Sequence, residues 1–127
     1  MTQLLAIAIG GALGALCRHG VALALVGTRF AYATLLVNVA GCFVLGALVH
    51  NGLAGDGRLK MLAHPAVTVG YLGALTTFST FSFQTIVFLE ERAWLLAAIN
   101  VAANLVLGLL ATVAGMALSR ALAAPAV

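Results

Sequence analysis

The stretch GALTTFSTFS, residues 73–82, decides how this sequence folds. It places five hydroxyl side chains, Thr76, Thr77, Ser79, Thr80 and Ser82, within ten residues of a chain that otherwise suits lipid. Of the 127 residues, 64% are hydrophobic and 7% charged, and the mean hydropathy is +1.18. A soluble domain is about a quarter charged, so the composition is that of a membrane protein. A hydrocarbon core about 30 Å thick takes roughly 20 apolar residues per helix, which leaves room for four spans and no soluble enzyme module.

Working outward from that stretch, the apolar runs separated by charges place TM1 at about 4–26, TM2 at 32–53, TM3 at 62–89 and TM4 at 94–119. The chain reads as one four-helix transmembrane domain, residues 1–127. Its first apolar run has no basic segment before it and no small-residue cleavage pattern after it, so it is read as a span, not a signal peptide. Gly70 and Gly73, followed by β-branched and hydroxyl residues that compete with the helical ladder, predict a break in TM3 near 73–77. Broken helices at membrane depth are tolerated where the freed backbone lines a cavity or holds an ion.

Past the break, Phe78 and Phe81 fall about 60° apart on a helix, with Thr77, Thr80 and Gln84 on the adjoining stripe. Aromatic edges are positive, so these rings either pack as ordinary apolar residues or face a small anion. Asn38, near the middle of TM2, is the only amide in the interior of that span, and Asn100 and Asn104 share a face of TM4. Each is costly in lipid without a partner, so each bonds another helix or faces a pore. Arg18 is within snorkelling reach of the end of TM1, about 12 Å away, and either draws anions into a vestibule or anchors the helix. His19, His50 and His64 lie near span ends without metal-ligand spacing. Cys17 and Cys42 read as small apolar fillers. Gly10, Gly11, Gly14 and Ala15 offer a small-residue face to another helix, of this chain or of a second copy.

Arg58, Lys60 and Arg120 fall on one side of the membrane, and Arg29 and Arg92, with or without Arg18, on the other. The positive-inside rule then favours neither orientation, and such a chain can insert both ways and pair as an antiparallel, dual-topology homodimer. The three acidic residues, Asp56, Glu90 and Glu91, all lie in loops. A proton-coupled exporter of organic cations, which needs a carboxylate within the membrane, is therefore disfavoured. A non-conducting membrane subunit remains compatible with composition alone. No nucleophile with a base, metal cluster or phosphate loop is present, so no catalytic residue is expected.

Three stretches together, GGALGALCRH in TM1, TLLVNVAGCFVLG in TM2 and GYLGALTTFSTFS in TM3, resemble the CrcB/Fluc family of fluoride channels. The resemblance covers nearly the whole chain. It implies a bacterial plasma (inner) membrane channel that lets fluoride leave the cell passively and so confers fluoride resistance. It further implies a dual-topology homodimer with two pores, surrounded by lipid and with no nucleic-acid partner. Carried over by motif, Asn38, Phe78, Phe81, Thr80 and Ser79 are similar to fluoride-path residues. Asn100 and Asn104 fall where the family has a polar track, and Arg18 falls at the vestibule. Gly73 and Thr76 are similar to positions whose backbone carbonyls hold a structural Na+ at the dimer interface. Departures are His19 in place of a common aromatic residue, Ala74 in place of a frequent glycine, and Gln84 in place of a frequent glutamate.

Overall fold

The computed structural model describes residues 1–54 and 63–123, so the TM2–TM3 loop charges Asp56, Arg58 and Lys60, and the start of TM3 at 62, lie outside the described residues. Every regular element of the described chain is a helix. Four segments, Thr2–Ala24, Tyr32–Val49, Ala66–Glu90 and Trp94–Leu122, are each long and apolar enough to cross a membrane. The protein is a multi-pass membrane protein. Its helices are α1 (Thr2–Ala24), α2 (Tyr32–Ala54), α3 (Ala66–Leu72 continuing through Gly73–Leu75), α4 (Phe78–Glu90) and α5 (Trp94–Ala123).

α1 stops two residues short of the sequence expectation because the chain turns at Gly27, whose φ of +86° only glycine adopts freely. The Thr28 hydroxyl lies 3.0 Å from the Leu25 and Phe30 carbonyls and ties that turn together. α5 runs to Ala123, past the expected 119, since nothing in residues 119–123 breaks a helix and Arg120 in its last turn suits the negative end of the helix dipole.

The helices pack as two pairs, α1 along α3 and α2 along α5, with α4 leaning on α5. Glycine makes both seams. A Cβ on Gly10 or Gly14 would run into the backbone carbonyl of Ala66 or Tyr71, and one on Gly70 would meet the backbone at Ile7. The small-residue face of α1 is therefore used within the chain. In the second seam, Gly46 lies against the Thr112 carbonyl and Gly115 against that of Phe43. Lipid tails give helices no hydrophobic reason to associate, so this close backbone approach is where their packing energy arises.

The third span departs from a regular helix in two ways. Residues Ala66–Leu72 are wound in the wider i→i+5 form, which nothing in the sequence announces. The break lies at Thr76 and Thr77, which are extended at φ/ψ of −77°/153° and −152°/110°. Gly70 and Gly73 both stay helical, so the glycines do not cause the break. Gly70 instead provides the close approach to α1.

Gly115→Ala is expected to overpack the α2–α5 seam and lower stability by about 1–3 kcal/mol. Gly20→Ala, with open space around it, should match the parent in a denaturant titration in detergent micelles.

Candidate functional site: the break in the third span

Thr77 is 7% exposed and has left the helix, so its backbone groups need partners at membrane depth. One side chain supplies both. Asn38 Oδ1 accepts the Thr77 N–H at 2.8 Å, while Asn38 Nδ2 donates to the Thr77 carbonyl at a longer 3.4 Å. Thr77 is also the N-cap of α4, its Oγ1 accepting the Thr80 N–H at 3.3 Å. The Thr77 hydroxyl donates to Thr80 Oγ1 at 2.9 Å, which leaves the Thr80 hydroxyl its own proton to donate.

The clasp is the end of a longer chain of amides. Asn38 Nδ2 donates to Asn104 Oδ1 at 2.9 Å. Asn104 Nδ2 donates to the Asn100 carbonyl at 2.9 Å and to Asn100 Oδ1 at 3.2 Å. Asn100, with no exposed surface, donates to Thr85 Oγ1 at 2.9 Å and faces the Phe81 carbonyl at 3.4 Å. The TM4 amides thus share the face that their spacing implied and bond each other along it, but their N–H groups are engaged by protein acceptors.

Two cavities adjoin the break, and Thr77 walls both. The larger, about 320 Å³, brings together Asn38, Asn104, Phe78 and Phe81 with Gly73 and Thr76. Its phenylalanine rings are 5.6 Å apart at 53°. Phe78 is 79% exposed, so this cavity lacks a wall on that side. The smaller, about 240 Å³, joins Arg18 and His19 of α1 to Thr34, Thr80 and Gln84. Gln84 Oε1 is buried there without a partner among the described residues. Of the site residues read from sequence, Ser79 and Asn100 line neither cavity. Ser79 is exposed, its Oγ 3.4 Å from Thr77 Oγ1.

Several residues of the site carry little signal in the sequence. Thr77 is visible there as one of five hydroxyls and as a member of the polar stripe with Thr80 and Gln84, with nothing to mark it as the partner of Asn38. Gly41 is buried, and a Cβ there would collide with the Thr76 methyl, so it makes room for the break. Its signal is its place in NVAG, three residues after Asn38. Cys42, which reads as a filler, lines the larger cavity. Among the described residues no group of three or more His, Cys, Asp or Glu could hold a metal ion.

A helical membrane protein whose third span is broken at mid-length, with polar side chains closing the break and cavities on either side, belongs to the class of small channels and transporters with discontinuous helices. Residues 5–116 match the family described as CrcB-like protein, Camphor Resistance (CrcB), and the chain belongs to that family. It is 44% identical over 125 residues to a "Fluoride-specific ion channel FluC" of Geobacter sp. (strain M21), covering 96% of this chain and 100% of that protein. The protein of the same description from Dehalococcoides mccartyi (strain CBDB1) is 43% identical over 116 residues, covering 87% of this chain and 86% of its own. That from Shewanella woodyi is 41% identical over 110 residues, covering 84% and 87%.

Thr77→Val keeps the shape of the side chain but removes the cap, and is expected to cost about 1 kcal/mol. Thr77→Ser should restore it. Thermal unfolding in micelles, followed by helical circular dichroism, checks both.

Proposed function

We propose that this protein is a passive, fluoride-selective channel of the bacterial plasma membrane, working as an antiparallel homodimer with two pores. The observation that carries the reading is that two cavities meet at Thr77, one holding Arg18 and Thr80, the other Asn38, Phe78 and Phe81. The family's fluoride channels, 41–44% identical to this chain, support it. Neither cavity is lined by a carboxylate, which favours an anion over the cargo of a cation exporter.

Arg18 raises the local concentration of anions at the smaller cavity without placing a full charge at the break. From there Thr80, whose proton is uncommitted, offers a hydroxyl donor. Beyond Thr77 the ring edges of Phe78 and Phe81 take over. Asn38 and Asn104 shape the path by holding the break, since their N–H groups are engaged in the single chain. A narrow path of such donors replaces the water around a small ion, while a larger halide meets poor geometry. Hydrogen fluoride crosses bilayers neutral and ionises inside, so a passive conduit suffices. The membrane potential drives the anion out by about 2.3 kcal/mol per 100 mV.

A second copy supplies the wall missing beside the exposed Phe78. Gly73 and Thr76 suit a structural Na+ at that interface. In a continuous helix their carbonyls would accept from Thr77 N–H and Thr80 N–H, but these go to Asn38 Oδ1 and Thr77 Oγ1. Two carbonyl oxygens released from helical donors are hard ligands of the kind such a cation takes. When bound, the ion would fix the two breaks against each other.

The test is fluoride efflux from liposomes, read with a fluoride electrode after a potassium ionophore is added, beside a chloride control. The parent should release fluoride and retain chloride. Asn38→Asp places a like charge on the path and should cut flux by about a hundredfold or more. Phe81→Ile removes a ring edge at nearly constant apolarity and should cut it by about tenfold or more. Parent-like flux in folded variants would refute these roles, and parent dimers that release no fluoride would refute the channel reading itself.

A further inference from the structure

The loop ends of the helices form an open cavity that shares no lining residue with the two cavities at the break. About 500 Å³ in volume, it is walled by Arg29 from the α1–α2 connection and by Arg92, Ala93, Trp94, Leu95 and Leu96, where α4 gives way to α5. Arg92 is the one described residue other than glycine with a left-handed backbone, at φ +56°. Its N–H donates to the Leu89 carbonyl at 3.0 Å and the Ala93 N–H to that of Phe88 at 2.8 Å. These are the paired bonds of a Schellman ending, at the position glycine usually fills. An arginine held there is strained, and strain of this kind persists where the side chain has work to do.

Two arginines therefore line one cavity, and no carboxylate lines it. Glu90 and Glu91, which directly precede Arg92 in the chain, pair with neither arginine among the described residues. Like charges facing a common space repel unless an anion lies between them. The site sits where the spans end, and span ends are where lipid headgroups meet a membrane protein. Trp94, 64% exposed, is placed as tryptophans are at membrane interfaces, and Leu95, 71% exposed, continues an apolar surface toward the acyl chains.

The geometry points to a phospholipid site: a headgroup phosphate held between Arg29 and Arg92, its acyl chains along Trp94 and Leu95, with anionic headgroups preferred to zwitterionic ones. Because Arg, unlike Lys, binds phosphate with a planar fork, two arginines on separate loops grip one phosphate from two sides. The ligand would tie the α1–α2 connection to the α4–α5 connection. This assignment is independent of the conducted ion.

Trp94 is the chain's single tryptophan, so its fluorescence reads the site directly. The protein is reconstituted in phosphatidylcholine vesicles containing an equal mole fraction of brominated phosphatidylglycerol or brominated phosphatidylcholine. Brominated phosphatidylglycerol should quench more strongly, corresponding to roughly fivefold enrichment. In Arg29→Gln/Arg92→Gly the preference should fall to about unity. Glycine at position 92 suits the backbone, so Arg92→Gly alone carries the test if the double variant misfolds, with the preference falling at least about twofold. Equal quenching by both lipids in the parent would overturn the proposal, as would a preference that survives in the variants. If inorganic phosphate added to phosphatidylcholine vesicles shifts the Trp94 emission while no lipid preference appears, the site takes soluble phosphate and the lipid assignment fails.

Discussion

The fold depends on one side chain satisfying an interrupted backbone. At Thr77 the third span gives up its ladder, and in lipid an unpaired N–H or carbonyl costs several kcal/mol. Asn38, from a different span, meets both groups at once. No hydroxyl could do this, because the task needs an acceptor and donors on one short, rigid head, which an amide provides. Asn104 and Asn100 then orient that amide, and Thr85 and the Phe81 carbonyl orient Asn100. The polar groups from Thr77 through Asn38, Asn104 and Asn100 to Thr85 thus form a connected set, the condition under which a buried network specifies one geometry instead of several.

The glycine seams follow from the same constraint. For Asn38 to reach Thr77, α2 and the third span must approach closely, and Gly41 leaves the space that the Thr76 methyl occupies. Gly46 and Gly115 set α2 against α5, which brings Asn104 within 2.9 Å of Asn38. Gly10, Gly14 and Gly70 do the equivalent for α1 and α3, bringing Arg18 over the smaller cavity. Small residues here position polar ones.

The parts of this arrangement that can be read from sequence are those with a local signature. Four apolar runs mark four spans, and hydroxyl clustering marks the break because Thr and Ser compete with the helical ladder wherever they occur. Asn38 stands out as the lone amide near the middle of its span. Thr77 does not stand out among its neighbours, since its importance comes from the tertiary contact with Asn38. The wide winding of Ala66–Leu72 is hidden for a similar reason: its residues carry no local preference for that form, and the register is set by backbone contact with α1. For Asn100 and Asn104, spacing reveals the shared face but not the direction of the N–H groups, which depends on Thr85 and Asn38 lying opposite.

That direction changes where the donors for an anion come from. With all three asparagines spending their protons on the scaffold, the polarity left along the path proposed above is modest: the hydroxyl of Thr80, ring edges, and Arg18 set back at one end. A path so built binds an anion weakly at each step, which favours release as much as capture. Stronger donors would hold a strongly hydrated ion in place, and a fixed charge at the break would trap it. In the proposed channel the amides therefore serve conduction best by being occupied, fixing the positions of weaker groups to within the tolerance that a small ion requires.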